Sequence, residues 1–190
     1  MNPEVTTCLS AWHRMTELSE QGPVRNFVQT LDMSDYVVET ALFPKAVLEA
    51  YSLWNMGQEI SAEQAALKTE QRGGPQGDYR EGMARKIDNV VDCLTSFPKS
   101  KRGVITISND PAPRHSSDAD AKCLREVHLY LDDEGKLSGT ILLRAQAASI
   151  FPKNIHFVGS IMSAVADRLP HQPVLGTVLY LATVLVSDRV

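Results

Sequence analysis

The sequence has 190 residues, of which 43 % are hydrophobic, and its formal net charge is −4. This length suits a single domain, 1–190, with a substantial core. The mildly acidic charge excludes the basic footprint of a nucleic-acid-binding chain. No apolar run reaches the length that spans a bilayer, so we predict no membrane association.

The cysteines and the N-terminus predict a cytoplasmic protein. Three widely spaced cysteines do not suggest a disulfide framework, and they are typical of a reducing compartment. The N-terminus lacks the basic and apolar segments of a signal peptide. Neither the cysteines nor the five histidines show the spacing of a zinc site, and we predict no metal.

Hydrophobic periodicity and Gly or Pro breaks predict alternating helices and strands in the N-terminal half. The predicted helices cover 4–21, 44–56 and 61–71, and one or two short strands lie within 27–38. The last of these helices begins with Ser61 and Gln64, which resemble a capping box. A glycine-rich loop is predicted at 73–77.

The C-terminal half reads as a sheet with two further helices. The predicted order is helix 85–97, strand 103–108, loop 110–121, a strand through Val127, Leu129 and Leu131, strand 137–144, helix 156–169 and strand 174–186. The last two strands are apolar on both faces. They fit a sheet with one face against helices and the other against a partner subunit.

The stretch that begins at Cys123 carries the most informative pattern. The cysteine precedes a strand with Tyr130, a tight turn with Gly-Lys-Leu-Ser at 135–138, then Arg144 and Pro-Lys-Asn-Ile at 152–155. This order resembles the catalytic core of the thymidylate synthase and pyrimidine hydroxymethylase family, in a divergent and shortened form. The resemblance implies an α/β fold with a mixed sheet flanked by helices, dimerising through the sheet face.

The resemblance implies roles for three residues of this stretch. Cys123 falls on the nucleophile that adds to a pyrimidine, Arg144 on a phosphate-binding arginine, and Asn154 on the asparagine that reads the base edge. Lys122 and Arg125 flank the cysteine in sequence, and nearby cations favour a thiolate. The alternative for Cys123 is an inert, structural cysteine.

Four further residues are candidates on the same basis. Glu49 falls near the active-site glutamate of the family; its alternative is an exposed helix carboxylate. Arg25 follows the first helix, where the family has a phosphate-binding arginine, and its alternative is a solvated side chain. Lys101 and Arg102 take the place of paired arginines that reach across the dimer interface to the partner's phosphate, or they form a basic loop.

Several features of the family are absent from the sequence. Ala147 stands near the place of an aspartate that contacts pyrimidine and folate, and the folate-facing tryptophan has no evident counterpart. Val184 and Val186 replace the histidine and tyrosine that hold the sugar hydroxyl. The resemblance therefore implies a divergent relative rather than an ordinary thymidylate synthase.

We predict methyl or hydroxymethyl transfer to C5 of a pyrimidine nucleotide or analogue through a Cys123 adduct, in a specialised biosynthetic pathway. The resemblance suggests 5,10-methylenetetrahydrofolate as the cofactor. The expected partners are a small anionic substrate, in particular a nucleotide, and a second copy of the chain. Two alternatives stay open: a repurposed enzyme acting on another small anion without folate, and a non-catalytic dimeric binding protein.

Overall fold

The computed structural model describes residues 4–69, 72, 77–107 and 122–188. Its helices are α1 (Cys8–Glu20), α2 (Lys45–Asn55), α3 (Ala62–Ala66), α4 (Met83–Ser96) and α5 (Phe151–Ala166). Its strands are β1 (Val5–Thr7), β2 (Val24–Asp32), β3 (Val104–Thr106), β4 (Leu124–Leu131), β5 (Leu137–Leu143), β6 (Gln146–Ala147) and β7 (Leu175–Val186). A 3-10 turn, Ala148–Ile150, joins β6 to α5.

The strands form one mixed sheet in the order β1-β2-β7-β5-β4-β3, with the short β6 also paired to β7. β5 and β7 run parallel, because the chain crosses over through α5 between them, and β4 pairs antiparallel with β5 through a tight turn. β2 lies antiparallel on the other side of β7. The predicted class, a mixed sheet flanked by helices, is confirmed.

Helix α5 lies at the centre of the core. It contacts β7 and is surrounded by α1, α2 and α4, so its side chains are buried on nearly all sides. Phe157, Ile161 and Val165 are at most 1 % exposed. A helix apolar all round needs such enclosure, and burying each of these side chains contributes about 1.5–3 kcal/mol.

The element boundaries differ from prediction in ways that matter for the site. Helix α5 begins at Phe151, five residues earlier than predicted, because Pro152 starts a helix well at its first turn. Lys153 and Asn154 therefore lie on the first helical turn. The short strands β1 and β6 were not predicted. The capping box of Ser61 is confirmed, although its helix is shorter than expected.

Two predicted loops lie largely or wholly outside the described residues. They are the glycine-rich segment 73–77, of which only Gly77 is described, and the segment 110–121. None of the helices within the described parts is long and apolar enough to cross a membrane.

Candidate functional site

Cys123 and Arg144 lie side by side at one end of the sheet. Cys123 comes just before β4 and Arg144 just after β5, and the antiparallel pairing of these strands brings the two together. The Arg144 backbone N–H donates to the Cys123 carbonyl at 2.7 Å, and Arg144 Nη2 lies 3.5 Å from Cys123 Sγ. A guanidinium at this distance stabilises a thiolate, and the half-buried sulfur is within reach of solvent.

Asn154 is buried behind this pair on the first turn of α5. Its Nδ2 donates to Gln146 Oε1 at 2.9 Å. The same oxygen accepts from the Tyr180 hydroxyl at 2.5 Å, and Gln146 Nε2 donates to the Ala147 carbonyl at 2.5 Å. Gln146 and Tyr180 are 1 % and 0 % exposed, so this is a hydrogen-bonded polar network inside the core.

A narrow cleft connects Asn154 to the start of β4. It is lined by Tyr79, Leu124, Ile141, Leu143, Asn154, Phe157, Val158 and Tyr180. Leu124 directly follows Cys123, and its backbone N–H donates to the Tyr79 hydroxyl oxygen at 3.4 Å. The space between the lining side chains is too narrow to hold a water molecule. A bound ring would therefore have to displace one of these side chains.

Two buried tyrosines supply hydroxyl donors near the cysteine. The Tyr51 hydroxyl donates to the Gly77 carbonyl at 3.1 Å, and the Tyr180 hydroxyl donates to Gln146. Burial, together with the nearby ionisable Tyr79 and Cys123, raises the pKa of both Tyr51 and Tyr180 well above the ordinary value. Both hydroxyls therefore stay protonated at neutral pH.

A buried cation lies on the same helical turn as Asn154. Lys153 is 3 % exposed, its Nζ donates to the Arg72 carbonyl at 3.3 Å, and it lies 4.7 Å from the centre of the Tyr51 ring. A positive side chain at a helix N-terminus is repelled by the positive end of the helix dipole. The contacts of Lys153 with the carbonyl and the aromatic ring offset this unfavourable electrostatic energy. Lys153 ties the Arg72 backbone to α5.

Glu49 and Arg25 lie on exposed surfaces. Glu49 is on the outward side of α2, where its carboxylate lies 3.9 Å from Lys45 Nζ, while Tyr51 occupies the buried side of the helix. Arg25 is exposed near the start of β2, opposite Val184 of β7. Arg25 lies at the same end of the sheet as Arg144, because β7 pairs with β2 on one side and with β5 on the other.

Lys101 and Arg102 lie at the other end of the sheet. They are exposed in the turn before β3, where the Gly103 carbonyl accepts from the Leu129 N–H at 2.7 Å. Six residues of extended strand separate Leu129 from Cys123, which is about 20 Å. Within one chain, the structure therefore brings Cys123 and Arg144 into contact and places Asn154 in the cleft lined by Leu124, whereas the Lys101–Arg102 pair lies at the other end of the sheet.

Sequence reasoning missed Gln146, Tyr180, Tyr51 and Lys153. Each is a polar or ionisable residue at a position that the structure buries. A lone glutamine between alanines gives no periodic signal, and the tyrosines read as ordinary core residues. Lys153 carried one usable signal, since a lysine at the start of a helix opposes the dipole and requires local compensation.

The described residues contain no group of three histidines, cysteines or acidic residues that could hold a metal ion. A charged pair, Arg80 and Asp78, lies near Lys122, the residue before Cys123. Arg80 forms an ion pair with Asp78 at 2.7 Å, and the hydrogen bond from its guanidinium lowers the pKa of the Asp78 carboxyl. The positive charge of Lys122 lowers this pKa further. The Asp78 carboxylate is therefore ionised at neutral pH.

No family model matches the sequence, and no curated protein matches it either. Among solved structures, it is similar to the thermostable thymidylate synthase A from Bacillus subtilis, with a TM-score of 0.62 and 14 % sequence identity. The match covers 94 % of this chain and 79 % of that chain. The chain has a thymidylate-synthase-like fold. At this level of identity the likeness establishes the fold and leaves the reaction to be argued from the site.

The thymidylate-synthase-like scaffold raises the question of a folate. A folate ring system carries several hydrogen-bond donors and acceptors, and each needs a partner when buried. The described lining of the cleft contains neither a tryptophan nor a carboxylate, and it is too narrow for water. Ala147, near the place of the family's aspartate, is 6 % exposed and offers no polar side chain. These residues do not fit 5,10-methylenetetrahydrofolate, and we assign no step to it.

Proposed function

We propose that this chain is a thymidylate-synthase-like enzyme that activates C5 of a pyrimidine nucleotide, or of an analogue, for attack on a one-carbon electrophile. The observation that carries the proposal is the contact between Arg144 Nη2 and Cys123 Sγ at 3.5 Å. It places a permanent cation beside a half-buried sulfur, which is the environment of a nucleophilic cysteine.

The chemistry follows from the thiolate. Cys123 Sγ adds to C6 of the pyrimidine ring, and the electrons of the C5–C6 double bond move toward the C4 carbonyl, making C5 nucleophilic. C5 then forms a bond to the carbonyl carbon of an aldehyde-level one-carbon donor, and the electrons of that carbonyl bond move to its oxygen, which takes up a proton. C5 loses its proton, the C5–C6 double bond re-forms, and the thiolate leaves from C6, which gives a 5-hydroxymethyl product. Hydrogen bonds to the C4 oxygen lower the barrier, because charge develops there only during the reaction.

Asn154 is assigned the edge of the base in this proposal. It is the buried carboxamide in the cleft that begins at Leu124, next to the nucleophile. A carboxamide carries both a donor and an acceptor, so it can pair with two adjacent atoms of a pyrimidine. Arg144, whose side chain is exposed, would also face the anionic part of the substrate.

A homodimer is part of the proposal. The sheet face opposite α5 presents an apolar row in which Val28 pairs with Leu181, and Leu181 pairs with Leu142. Leu142 is 39 % exposed, and Tyr130, four residues farther along the same face of the β4–β5 pair, is 36 % exposed. An exposed apolar surface of this kind marks an association site. A monomer in sedimentation at micromolar concentration would contradict this part.

The dimer would also give the basic loop a role. Lys101 and Arg102 are about 20 Å from Cys123 of their own chain, so they can act on substrate phosphate only in the partner's site. Arg25 is at the correct end of the sheet to assist within its own chain. Glu49 is given no role in the mechanism, because its carboxylate is exposed and lies near Lys45.

The test is release of tritium from C5-labelled UMP, dUMP, CMP and dCMP, with and without 5,10-methylenetetrahydrofolate. We expect release by the native protein and none by Cys123→Ser. The matched control is Cys93→Ser, because Cys93 is also half-buried but lies on α4, where its thiol donates a hydrogen bond to Ser100 Oγ at 3.2 Å. Release that survives Cys123→Ser would contradict the proposal.

The narrowness of the cleft favours a second candidate function. A space too narrow for water does not admit a pyrimidine without rearrangement, whereas a small carboxylate or phosphate can approach Arg144 and Cys123 from solvent. In that case the chain would act on another small anion without folate. Absence of tritium release from all four nucleotides, together with rapid alkylation of Cys123 that phosphate or a carboxylate slows, would support this candidate. A non-catalytic binding protein predicts slow alkylation instead.

A further inference from the structure

We propose that the Tyr79 side chain fills the binding slot of a planar ring ligand and moves out to admit it, and that Asn55 is the positioning residue that holds Tyr79 in place. The slot is the space between Phe157 and Leu124. The ligand that fits it is a six-membered ring with an exocyclic oxygen. Taking this ring to be a pyrimidine rests on the proposed function, whereas the placement of Tyr79 rests on contacts within the chain.

Tyr79 differs from the other side chains that line the cleft in the part of the chain that carries it. The others lie on β4, β5, α5 and β7, at Leu124, Ile141, Leu143, Asn154, Phe157, Val158 and Tyr180. Tyr79 lies in the irregular segment before α4. A ring enters this cleft only if a side chain moves, and Tyr79 can move without distorting the sheet or α5.

The contacts of Tyr79 are those that a bound ring would make. Its ring stacks on Phe157, with 12° between the planes and 5.7 Å between the centres. Its hydroxyl oxygen accepts from the Leu124 N–H at 3.4 Å, which is a long hydrogen bond. A pyrimidine is also a flat six-membered ring, and its exocyclic carbonyl oxygen can accept from the same N–H at closer range. Because Leu124 follows Cys123, a ring in the slot adjoins the reactive sulfur.

Asn55 holds the backbone of Tyr79. It is the last residue of α2 and is 0 % exposed. Its Oδ1 accepts from the Tyr79 N–H at 2.7 Å, and its Nδ2 donates to the Tyr51 carbonyl at 3.0 Å. Loss of Oδ1 leaves the Tyr79 N–H buried without this acceptor only while the ring is in the slot. Asn55 therefore stabilises the filled slot relative to the open one.

The residues on either side of Tyr79 allow a local movement. On one side, the Gly77 carbonyl is held on α2 by a single hydrogen bond from the Tyr51 hydroxyl, at 3.1 Å. On the other side, Gly82 precedes α4 with a φ of +64°, a conformation that glycine adopts without steric cost. A few such residues can absorb the change in φ and ψ, so the segment 77–82 can move while α2 and α4 stay in place.

The first arm of the test follows the Leu124 amide and needs no ligand. Because this N–H donates to the Tyr79 hydroxyl, it exchanges with solvent when Tyr79 leaves the slot. We expect its exchange in D2O, measured by NMR, to be nearly independent of low urea concentrations, since little surface is exposed. The Leu129 N–H, which donates to the Gly103 carbonyl at 2.7 Å, should show the strong urea dependence of global unfolding. Equal urea dependence of the two amides would overturn the movement of Tyr79.

The same measurement on two variants tests the role of Asn55. In Asn55→Leu we expect the Leu124 amide to exchange at least about tenfold faster, because the filled slot has lost a buried acceptor. The matched control is Ser52→Ala, also on α2 and buried, whose hydroxyl lies 2.7 Å from His156 Nδ1 and not near the slot. It should speed global unfolding and leave the local exchange of Leu124 unchanged. Unchanged exchange of Leu124 in Asn55→Leu would overturn the positioning role.

The second arm measures UMP binding by calorimetry. The apparent dissociation constant is the intrinsic one divided by the fraction of molecules with an open slot, so Asn55→Leu should bind UMP at least about tenfold more tightly than the native protein. Tyr79→Ala empties the slot and should do the same, which keeps the test decisive if one variant does not fold. Tyr36→Ala is its matched control. Tyr36 also packs on α5, with its hydroxyl 3.2 Å from Ser163 Oγ, and its loss should leave UMP affinity unchanged.

The outcomes separate this inference from the proposed function. If UMP binds the native protein, Asn55→Leu and Tyr79→Ala with equal affinity, the slot does not belong to the ring and the inference is overturned. If UMP binds none of them but the Leu124 amide exchanges through a local opening that Asn55→Leu accelerates, the movement of Tyr79 is supported and the pyrimidine function is wrong.

Discussion

Cys8 and Cys123 show how one residue type takes two opposite characters in the same fold. Cys8 opens α1 in the interior, is 0 % exposed, and its thiol donates to the Asp32 carbonyl at 3.4 Å. Burial, with Asp32 and Asp35 nearby, raises the pKa of Cys8 to about 12. Cys123 lies half-buried at the end of the sheet, 3.5 Å from Arg144 Nη2.

The difference lies in the neighbouring elements rather than in the cysteines. The core around Cys8 excludes water and adds carboxylates, so it disfavours a thiolate. At the end of the sheet, Cys123 is partly accessible to solvent and has a guanidinium beside it, because Arg144 directly follows β5. The reactive cysteine of this fold thus lies where a strand begins, whereas the buried thiol of Cys8 is kept neutral.

The largest effect that we expect from this contrast is in alkylation. At pH 8 a thiol like Cys8 is ionised to roughly one part in ten thousand, whereas an ordinary cysteine is ionised to about a quarter. We therefore expect iodoacetamide to modify Cys123 at least about a thousandfold faster than Cys8 in the folded protein. Peptide mapping by mass spectrometry over a time course gives both rates.

Unfolding provides the control for this experiment. In denaturant both thiols lose their environments, so their rates should converge. Similar rates for Cys8 and Cys123 in the folded protein would show that the two regions do not differ as described.

The next largest effect concerns His156, a second neutral group in the core. Its Nδ1 lies 2.7 Å from Ser52 Oγ, and burial, with a contribution from Lys45, lowers its pKa to about 4. Between this value and the unfolded value near 6.5, the unfolded chain binds more protons than the folded one. Folding stability therefore falls as the pH drops from 6.5 to 4, by about 3 kcal/mol in total.

Denaturant titrations between pH 4 and pH 7 measure this loss. His156→Asn should flatten that part of the profile, whereas His171→Asn, which changes an exposed histidine, should not. A native profile without any decline below pH 6.5 would contradict the buried, neutral state of His156.

A smaller effect tests the cation beside Cys123. In Arg144→Met the sulfur loses the neighbouring guanidinium, which favours the thiolate, and we expect its alkylation at pH 7 to slow about tenfold. Arg168→Met is the matched control, because Arg168 pairs with Asp88 at 2.9 Å on the helical surface. An unchanged rate in Arg144→Met would remove the observation on which the proposed function rests.

Sequence alone predicted the architecture well and the site partly. The strand alternation at Val127–Leu131 and the helical spacing before Gly22 report directly on burial, so β4 and α1 were found. The spacing from Cys123 to Arg144 depends on one hairpin, and the hairpin brings the two together. Local patterns of this kind are what periodicity detects.

The remainder of the site depends on long-range packing that no local pattern encodes. Gln146 meets Asn154 because the chain turns tightly between β6 and α5, and it meets Tyr180 only because β7 is inserted beside β5. The resemblance to the family likewise predicted that Glu49 lies in the site, but α2 is oriented so that Tyr51 is buried and Glu49 is exposed. A shift of two residues in a helix moves a side chain by more than half a turn.

The smallest effect sharpens this last distinction between Glu49 and Tyr51. The Glu49 carboxylate is 50 % exposed and 3.9 Å from Lys45 Nζ, so Glu49→Gln should change the free energy of unfolding by less than about 0.5 kcal/mol. Tyr51→Phe instead leaves the buried Gly77 carbonyl without its donor, at a cost of about 1–3 kcal/mol. Denaturant titration gives both values. A fall of more than tenfold in tritium release by Glu49→Gln, with stability unchanged, would mean that Glu49 reaches the substrate after all.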